Sequence, residues 1–353
     1  MLKLIFILVV SMYFLVKSSD LFVDKVSNIA KKLGVSQFVI GITLVAVGTS
    51  LPELFSSVLA SLGGTGEFAI GNVVGSNIAN IGLVLGFVAV VTPMAIKDEM
   101  FNRDGIFLIF ITTLFYVFAI NGLITSLEGF ILFLLFIAYS LYLYKTKKRF
   151  TKGYSFRRWM GTSYKEKYRS FKYALNLAYK RFKTATKESY ARGLNKSLDV
   201  FRQTMVYDLL MSAIFLVVIY VSAEFLVDSS VDIAGILGVS SSVIGLVVVA
   251  LGTSLPELSV GVSSIKKGLP NILLGNIVGS NIANLLVVVG VASIVNPLPV
   301  ELNAIKYTIP FAVIMTFLFF VFIRTGKRIS RGEGLVLLGG YIGFIVASLI
   351  LFF

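Results

Sequence analysis

The sequence has no cysteine and no histidine, and only 14% of its residues are charged. Without thiols there are no disulfides, no thiolate nucleophile and no sulfur-ligated metal. Without imidazole there is no histidine metal site and no histidine acid/base catalysis. The sparse charge argues against an ordinary soluble domain, in which about a quarter of residues are charged. Apolar residues fill the space instead: 57% of the 353 residues are hydrophobic, and the mean hydropathy is +0.90. Several runs reach the roughly 20 apolar residues that cross a bilayer, so the chain reads as an all-α, multi-span integral membrane protein.

The net charge of +14 belongs to one segment. Residues 145–205 hold 18 Lys/Arg against 3 acids, whereas the remainder holds 14 against 15. Membrane topology accounts for such a block without invoking nucleic acid. The segment interleaves basic and aromatic residues, as in Tyr164-Lys165-Glu166-Lys167-Tyr168-Arg169 and Tyr179-Lys180-Arg181-Phe182-Lys183. It reads either as a solvated linker or as amphipathic helices on anionic lipid, where each basic residue contributes about 1 kcal/mol.

The rest is organised by a repeat. Gly48-Thr49-Ser50-Leu51-Pro52-Glu53 returns 204 residues later as Gly252-Thr253-Ser254-Leu255-Pro256-Glu257. The same offset relates Leu33-Gly34-Val35-Ser36 to Leu237-Gly238-Val239-Ser240, and Gly71-Asn72 to Gly275-Asn276. It also relates Gly75-Ser76-Asn77-Ile78-Ala79-Asn80 to Gly279-Ser280-Asn281-Ile282-Ala283-Asn284. An ungapped match of this length marks a duplicated membrane unit.

Ten transmembrane helices are expected, at 2–31, 37–61, 69–92, 104–121 and 126–144, then 206–236, 242–265, 271–295, 303–323 and 334–353. They form two five-helix repeats, 1–144 and 206–353, joined by the basic loop 145–205. Residues Leu2 to Val16 resemble a secretory leader, but no small-residue cleavage site follows and the pattern recurs in mid-chain at 206–236. Both are read as first helices of a repeat. Lys31-Lys32, Lys97/Arg103, the 145–205 loop, Lys266-Lys267 and Arg324/Lys327/Arg328/Arg331 fall in alternate connections. The connections 62–68, 122–125, 237–241 and 296–302 hold no Lys or Arg. The positive-inside rule then places the loop in the cytoplasm and both termini outside the cell membrane. An odd number of spans per repeat makes the two copies inverted, a plan of secondary transporters.

Within the repeated motif, Thr49 and Ser50 lie four and three residues before Glu53 and share its face on a helix. Pro52 has no N–H for the carbonyl of Gly48, so backbone oxygens near Ala46 to Gly48 are expected to be freed. At membrane depth such groups are tolerated where they line a polar cavity or meet a ligand. Hydroxyls, carbonyls and a carboxylate make an oxygen-only set suited to hard cations such as Na⁺ and Ca²⁺. Ser76 and Asn80 also share a face, and inversion of the repeat brings Glu53 and Glu257 together near the membrane centre. A charged residue there costs about 3 kcal/mol or more and marks a functional site by default. Gly71, Gly75, Gly275 and Gly279 are read as packing residues rather than ligands. Asn72, Asn77, Asn276 and Asn281 are read as either ligands or interhelical hydrogen-bonders. Asp20, Asp24, Glu224 and Asp228 are read as a solvated face in preference to the lining of an entry path.

Gly-Thr-Ser-Leu-Pro-Glu followed by Gly-Asn-x-x-Gly-Ser-Asn-Ile-Ala-Asn, in two inverted halves, resembles the alpha-repeats of the sodium/calcium exchangers, of the calcium/cation antiporter superfamily in its prokaryotic form. The resemblance implies electrogenic exchange of about three Na⁺ for one Ca²⁺ by alternating access. By position it implies ion ligation by Ala46 (carbonyl), Thr49, Ser50, Glu53, Ser76 and Asn80, and by Ala250 (carbonyl), Thr253, Ser254, Glu257, Ser280 and Asn284. No cofactor is expected beyond the transported Ca²⁺ and Na⁺, and a monomer is expected. Several exchangers, including the potassium-dependent branch, carry an acid where this chain has Asn284. Two carboxylates instead of three argue against K⁺ co-transport.

Other classes fit less well. A proton/calcium antiporter needs carboxylates that protonate during the cycle, but the chain lacks the Gly-Asn-Ala-x-Glu type of repeat of that branch. A passive channel would share the oxygen ligands but not the inverted repeats with broken helices. An intramembrane aspartyl protease needs paired Asp residues inside two spans, so no enzyme is expected.

Overall fold

Apolar runs bounded by glycine, proline and charge become helices here. A computed structural model describes residues 2–95, 100–150, 204–236, 254–326 and 328–352. Its helices are α1 (Leu2–Leu33), α2 (Gln37–Thr49), α3 (Leu51–Leu62), α4 (Gly66–Val91), α5 (Ile106–Ala119) and α6 (Ser126–Phe150). The second half contributes α7 (Met205–Ile236), α8 (Leu255–Lys266), α9 (Pro270–Val295), α10 (Ile309–Gly326) and α11 (Arg331–Phe352). Among the described residues, six helices are long and apolar enough to cross a membrane: α1, α4, α6, α7, α9 and Ala304–Arg324, which includes most of α10. The pair α2 and α3 makes a seventh, bent by 42° at Ser50. Residues 242–253, the first half of the expected span 242–265, and residues 151–203 of the basic loop lie outside the described residues. Helix α6 runs on to Phe150, into the segment expected to be loop.

The bend follows from Pro52 in the first turn of α3, where its missing N–H costs nothing and its fixed φ starts a new helix. Ser50 leaves helical geometry at φ −88° and ψ 4°; its counterpart Ser254, before Pro256, sits at φ −95° and ψ 2°. Each short helix then ends near a glycine in the left-handed region, Gly64 at φ 76° and Gly268 at φ 68°.

The two halves interlock. Two-residue strands β1 (Met94–Ala95) and β4 (Arg328–Ile329) pair antiparallel, as do β2 (Leu123–Ile124) and β3 (Leu298–Pro299). The first pair joins two connections that carry Lys or Arg, and the second joins two that carry none. Helix α6 packs on the second half of α9, and α11 packs on the second half of α4, so each repeat lends its last helix to the other. Helices α4 and α9 form the centre: 78% and 83% of their apolar stretches are buried, against 22% for α1, α6 and α7. The exposed apolar faces of those outer helices are what lipid would cover.

Close approach near the centre depends on glycine. A Cβ at Gly275 would stand 2.4 Å from the carbonyl oxygen of Phe38, and one at Gly279 would stand 2.6 Å from that of Ile42. Both obstacles are backbone of α2, so the packing assignment holds for these two glycines, whereas a Cβ at Gly71 or Gly75 would meet nothing within 4 Å. Gly279→Ala is expected to lower the stability of the detergent-purified protein by about 1–3 kcal/mol through overpacking. A thermal unfolding scan checks this, and an unchanged midpoint would show that α2 gives way.

Candidate cation-binding site

Helices α2, α3, α4, α8 and α9 bring the described members of the expected polar set into one buried cluster. Glu53 is 2% exposed and Glu257 1% exposed, and each sits in the first turn of its helix, on α3 and α8 respectively. Each carboxylate lies over the backbone N–H of its own residue, and the two are near enough for their charges to interact. The partial positive end of each short helix thus faces a carboxylate. Ala46, Thr49, Ser50, Ser76, Asn80, Ser254, Ser280 and Asn284 are all buried beside them. Ala250 and Thr253, which the resemblance also implicates, lie outside the described residues.

The hydrogen bonds run between repeats. The Thr49 hydroxyl donates to Asn276 Oδ1 at 3.1 Å, meets the Ser280 hydroxyl at 3.3 Å and lies against the Glu257 carboxylate. Asn80 Nδ2 donates to Asn281 Oδ1 at 3.1 Å, and Asn284 Nδ2 donates to Asn77 Oδ1 at 3.0 Å. The last two bonds are the same contact made once from each repeat. The four undecided asparagines therefore serve as hydrogen-bonders: Asn77, Asn276 and Asn281 between repeats, and Asn72 to Ser56 and Ser57 of α3.

Among the described residues, eight buried side-chain oxygens have no hydrogen-bond partner; Tyr341 Oη, on α11, is one, and the other seven lie in this cluster. They are Ser50 Oγ, Glu53 Oε2, Ser76 Oγ, Asn80 Oδ1, Ser254 Oγ, Glu257 Oε2 and Asn284 Oδ1. Each belongs to a residue singled out from the sequence. An apolar interior does not leave this many acceptors unpaired by accident, because each unpaired group costs about 1–3 kcal/mol. A hard cation satisfies such oxygens, and the two carboxylates supply the opposing charge. Among the described residues no group of three or more acids or histidines is gathered, so hydroxyl and amide oxygens make up the rest of the set. A surface cavity of about 400 Å³, lined by Thr65, Glu67, Gly71, Glu301 and Thr308 among others, includes none of these oxygens.

The structure revises two local expectations. The Ala46 carbonyl keeps a helical partner, the Ser50 N–H at 3.0 Å, because Pro52 deprives the carbonyl four residues earlier, Gly48, and not Ala46. It also lies 3.4 Å and 3.5 Å from the hydroxyls of Thr49 and Ser280. Second, wide π turns occupy Gly41–Val45, Asn80–Leu85 and Asn284–Val288, each beside the site, and the sequence carried no signal for them.

Buried carboxylates from two halves, open oxygens and interlocked repeats define a membrane transporter, not an enzyme. A family profile described as sodium/calcium exchanger protein matches residues 3–145 and 207–350. The chain belongs to that family. It is 40% identical to sodium/calcium exchanger MaX1 of Methanosarcina acetivorans, over 96% of this chain and 97% of that one. It is 32% identical to the putative antiporter CaxA of Alkalimonas amylolytica, over 96% of each. A solved structure of the sodium-calcium exchanger NCX_Mj, soaked with Na⁺ and Sr²⁺, superposes with a TM-score of 0.76 at 30% identity, covering 98% of this chain and 99% of that one.

An unpaired hydroxyl contributes nothing to the ion-free fold. Ser50→Ala and Ser254→Ala are therefore expected to leave the unfolding temperature without Ca²⁺ unchanged or raised, while shrinking its rise on adding Ca²⁺. A lower midpoint without Ca²⁺ would show that these hydroxyls have a structural partner.

Proposed function

We propose that the protein exchanges Na⁺ for Ca²⁺ across the cell membrane by alternating access, with the ions held by the oxygens around Glu53 and Glu257. The seven unpartnered buried oxygens of the cluster carry this reading. The ligand set is Thr49, Ser50, Glu53, Ser76 and Asn80 with Ser254, Glu257, Ser280 and Asn284, completed by Thr253 and by the carbonyls of Ala46 and Ala250. Thr49 and Ser280, now bonded to each other, turn their oxygens to the ion when it enters.

The exchange rule follows from charge. Two carboxylates carry −2, which one Ca²⁺ neutralises. Ca²⁺ and a full complement of Na⁺ compete for the same two carboxylates, so one must leave before the other loads. Moving more Na⁺ charges than Ca²⁺ charges per cycle makes the exchange electrogenic. With Asn284 in place of an acid, a third carboxylate is missing, and K⁺ is not carried.

Ten spans in two inverted repeats, with both termini outside and 145–205 in the cytoplasm, complete the arrangement. The strand pairs support it, since they join basic connections with basic and neutral with neutral. The basic loop meets anionic lipid at the cytoplasmic face. One chain supplies both halves of the site, so a monomer is sufficient.

In proteoliposomes loaded with Na⁺ and diluted into Na⁺-free buffer, Ca²⁺ uptake is expected to follow the Na⁺ gradient and ignore external K⁺. Glu53→Gln is expected to reduce it at least about tenfold, the effect of losing one charge-assisted ligand. Uptake driven by a pH gradient and indifferent to Na⁺ would instead establish a proton/Ca²⁺ antiporter. Unchanged uptake in Glu53→Gln would remove the site.

A further inference from the structure

The reciprocal amide bonds assign a role to two residues outside the ligand set. Each ligand amide has one oxygen and one nitrogen to offer, and a cation accepts only the oxygen. Asn80 and Asn284 spend their nitrogens on Asn281 Oδ1 and Asn77 Oδ1, and both of their own oxygens stay open. Asn281 uses its side chain here only as an acceptor, with Nδ2 unpartnered, and Asn77 is held in place by its own donation to the Asn281 carbonyl at 3.3 Å. We propose that Asn77 and Asn281 are positioning residues that hold the amides of Asn284 and Asn80, each from the opposite repeat, with their oxygens toward the ion. This rests on the ligand reading above.

A double-mutant cycle tests it, with half-saturating Ca²⁺ for uptake and the unfolding temperature as readouts. Asn77→Leu is expected to weaken Ca²⁺ roughly tenfold in the parent protein and to add little in an Asn284→Ala background, since its effect passes through that amide. Equal weakening in both backgrounds, or none in the parent, would overturn the proposal. An Asn284→Ala variant with unaltered Ca²⁺ dependence would reject the ligand reading, and this proposal with it.

A separate observation concerns the outer helices. Along one face of α1, Ser19 meets Ser259 at 2.8 Å, Asp20 accepts from the Ser263 hydroxyl, and Asp24 pairs with Lys267 at 2.7 Å. These rungs fasten α1 of the first repeat along α8 of the second. At the repeat offset, the matching positions are Ala223 with Phe55, Glu224 with Leu59, and Asp228 with Gly63. None of these pairs has complementary groups. The structure follows the chemistry: Phe55 and Leu59 are 63% and 66% exposed, whereas Ser263 is 3% exposed beneath α1. In an inverted repeat, the opposite-facing state exchanges the roles of the halves. Docking of α7 on α3 would therefore replace docking of α1 on α8. We infer that the Ser19–Ser259, Asp20–Ser263 and Asp24–Lys267 ladder is a one-sided latch. It closes the α8 side, where the connection is Lys266-Lys267, and biases the carrier toward the state open along α3.

The absence of native cysteine permits a direct test. Oxidised Ser19→Cys/Ser259→Cys protein is expected to bind Ca²⁺ in detergent but to lose exchange, and reductant is expected to restore it. Exchange at the parent rate after complete cross-linking would show that α1 never leaves α8 and overturn the latch. For the bias, Asp24→Asn is expected to shift the ratio of half-saturating Ca²⁺ at the two membrane faces by about twofold to fivefold, the scale of one partly exposed ion pair. Asp24→Lys with Lys267→Asp is expected to restore the ratio, and Asp228→Asn to leave it unchanged. An Asp24→Asn ratio equal to that of the parent would remove the bias.

Discussion

A carboxylate inside an apolar bundle has no water to turn to, and this chain buries two of them with a ring of hydroxyl and amide oxygens around them. The arrangement is uncomfortable as a resting structure and comfortable around a cation. Much of the architecture serves that constraint. Prolines break α2 from α3 and begin α8 so that helix ends, not helix flanks, meet the carboxylates. Glycines in α9 let it press against α2 until Thr49 reaches Asn276 and Ser280. The buried pair α4 and α9 then shields the cluster from lipid.

Duplication supplies the second half of every device. The reciprocal asparagine bonds, the exchanged last helices and the two small strand pairs each occur once per repeat. A carrier needs this near-equivalence, because its two facing states must differ little in free energy. Departures from symmetry are therefore informative. Inner-site residues are nearly identical between repeats, and the outer faces are not: Ser259, Ser263 and Lys267 replace Phe55, Leu59 and Gly63. On the proposed reading the ions account for the symmetry at the centre, and the balance between states is set at the periphery.

Among the described residues, most helix positions were legible in the sequence to within a few residues, since the length of an apolar run is a local property. The spans expected at 37–61 and 271–295 appear as Gln37–Thr49 with Leu51–Leu62 and as Pro270–Val295. Helix α6 ran past its expected end because lysines and arginines continue a helix well and lie beyond the apolar run that marked the boundary. The π turns at Asn80 and Asn284 escaped notice because one extra residue per turn leaves no period to detect. The roles of Asn77, Asn276 and Asn281 stayed open, as an amide reads the same whether it binds an ion or a neighbouring amide. Asp20 and Asp24, which resemble a solvated face along α1, make bonds to α8 that no helical pattern reports.

The sequence by itself determined the membrane class, the duplication and the short list of oxygens from which a site is built, because charge, apolar run length and repeat register are written along the chain. Only the tertiary structure decided which of those oxygens remain unpaired, which asparagines bond to their amides and which outer helix is fastened to α8. Those outcomes depend on hydrogen bonds between residues some two hundred positions apart, such as Asn284 with Asn77 and Lys267 with Asp24. Their geometry is set by how close two helix backbones can come, which no stretch of sequence specifies alone.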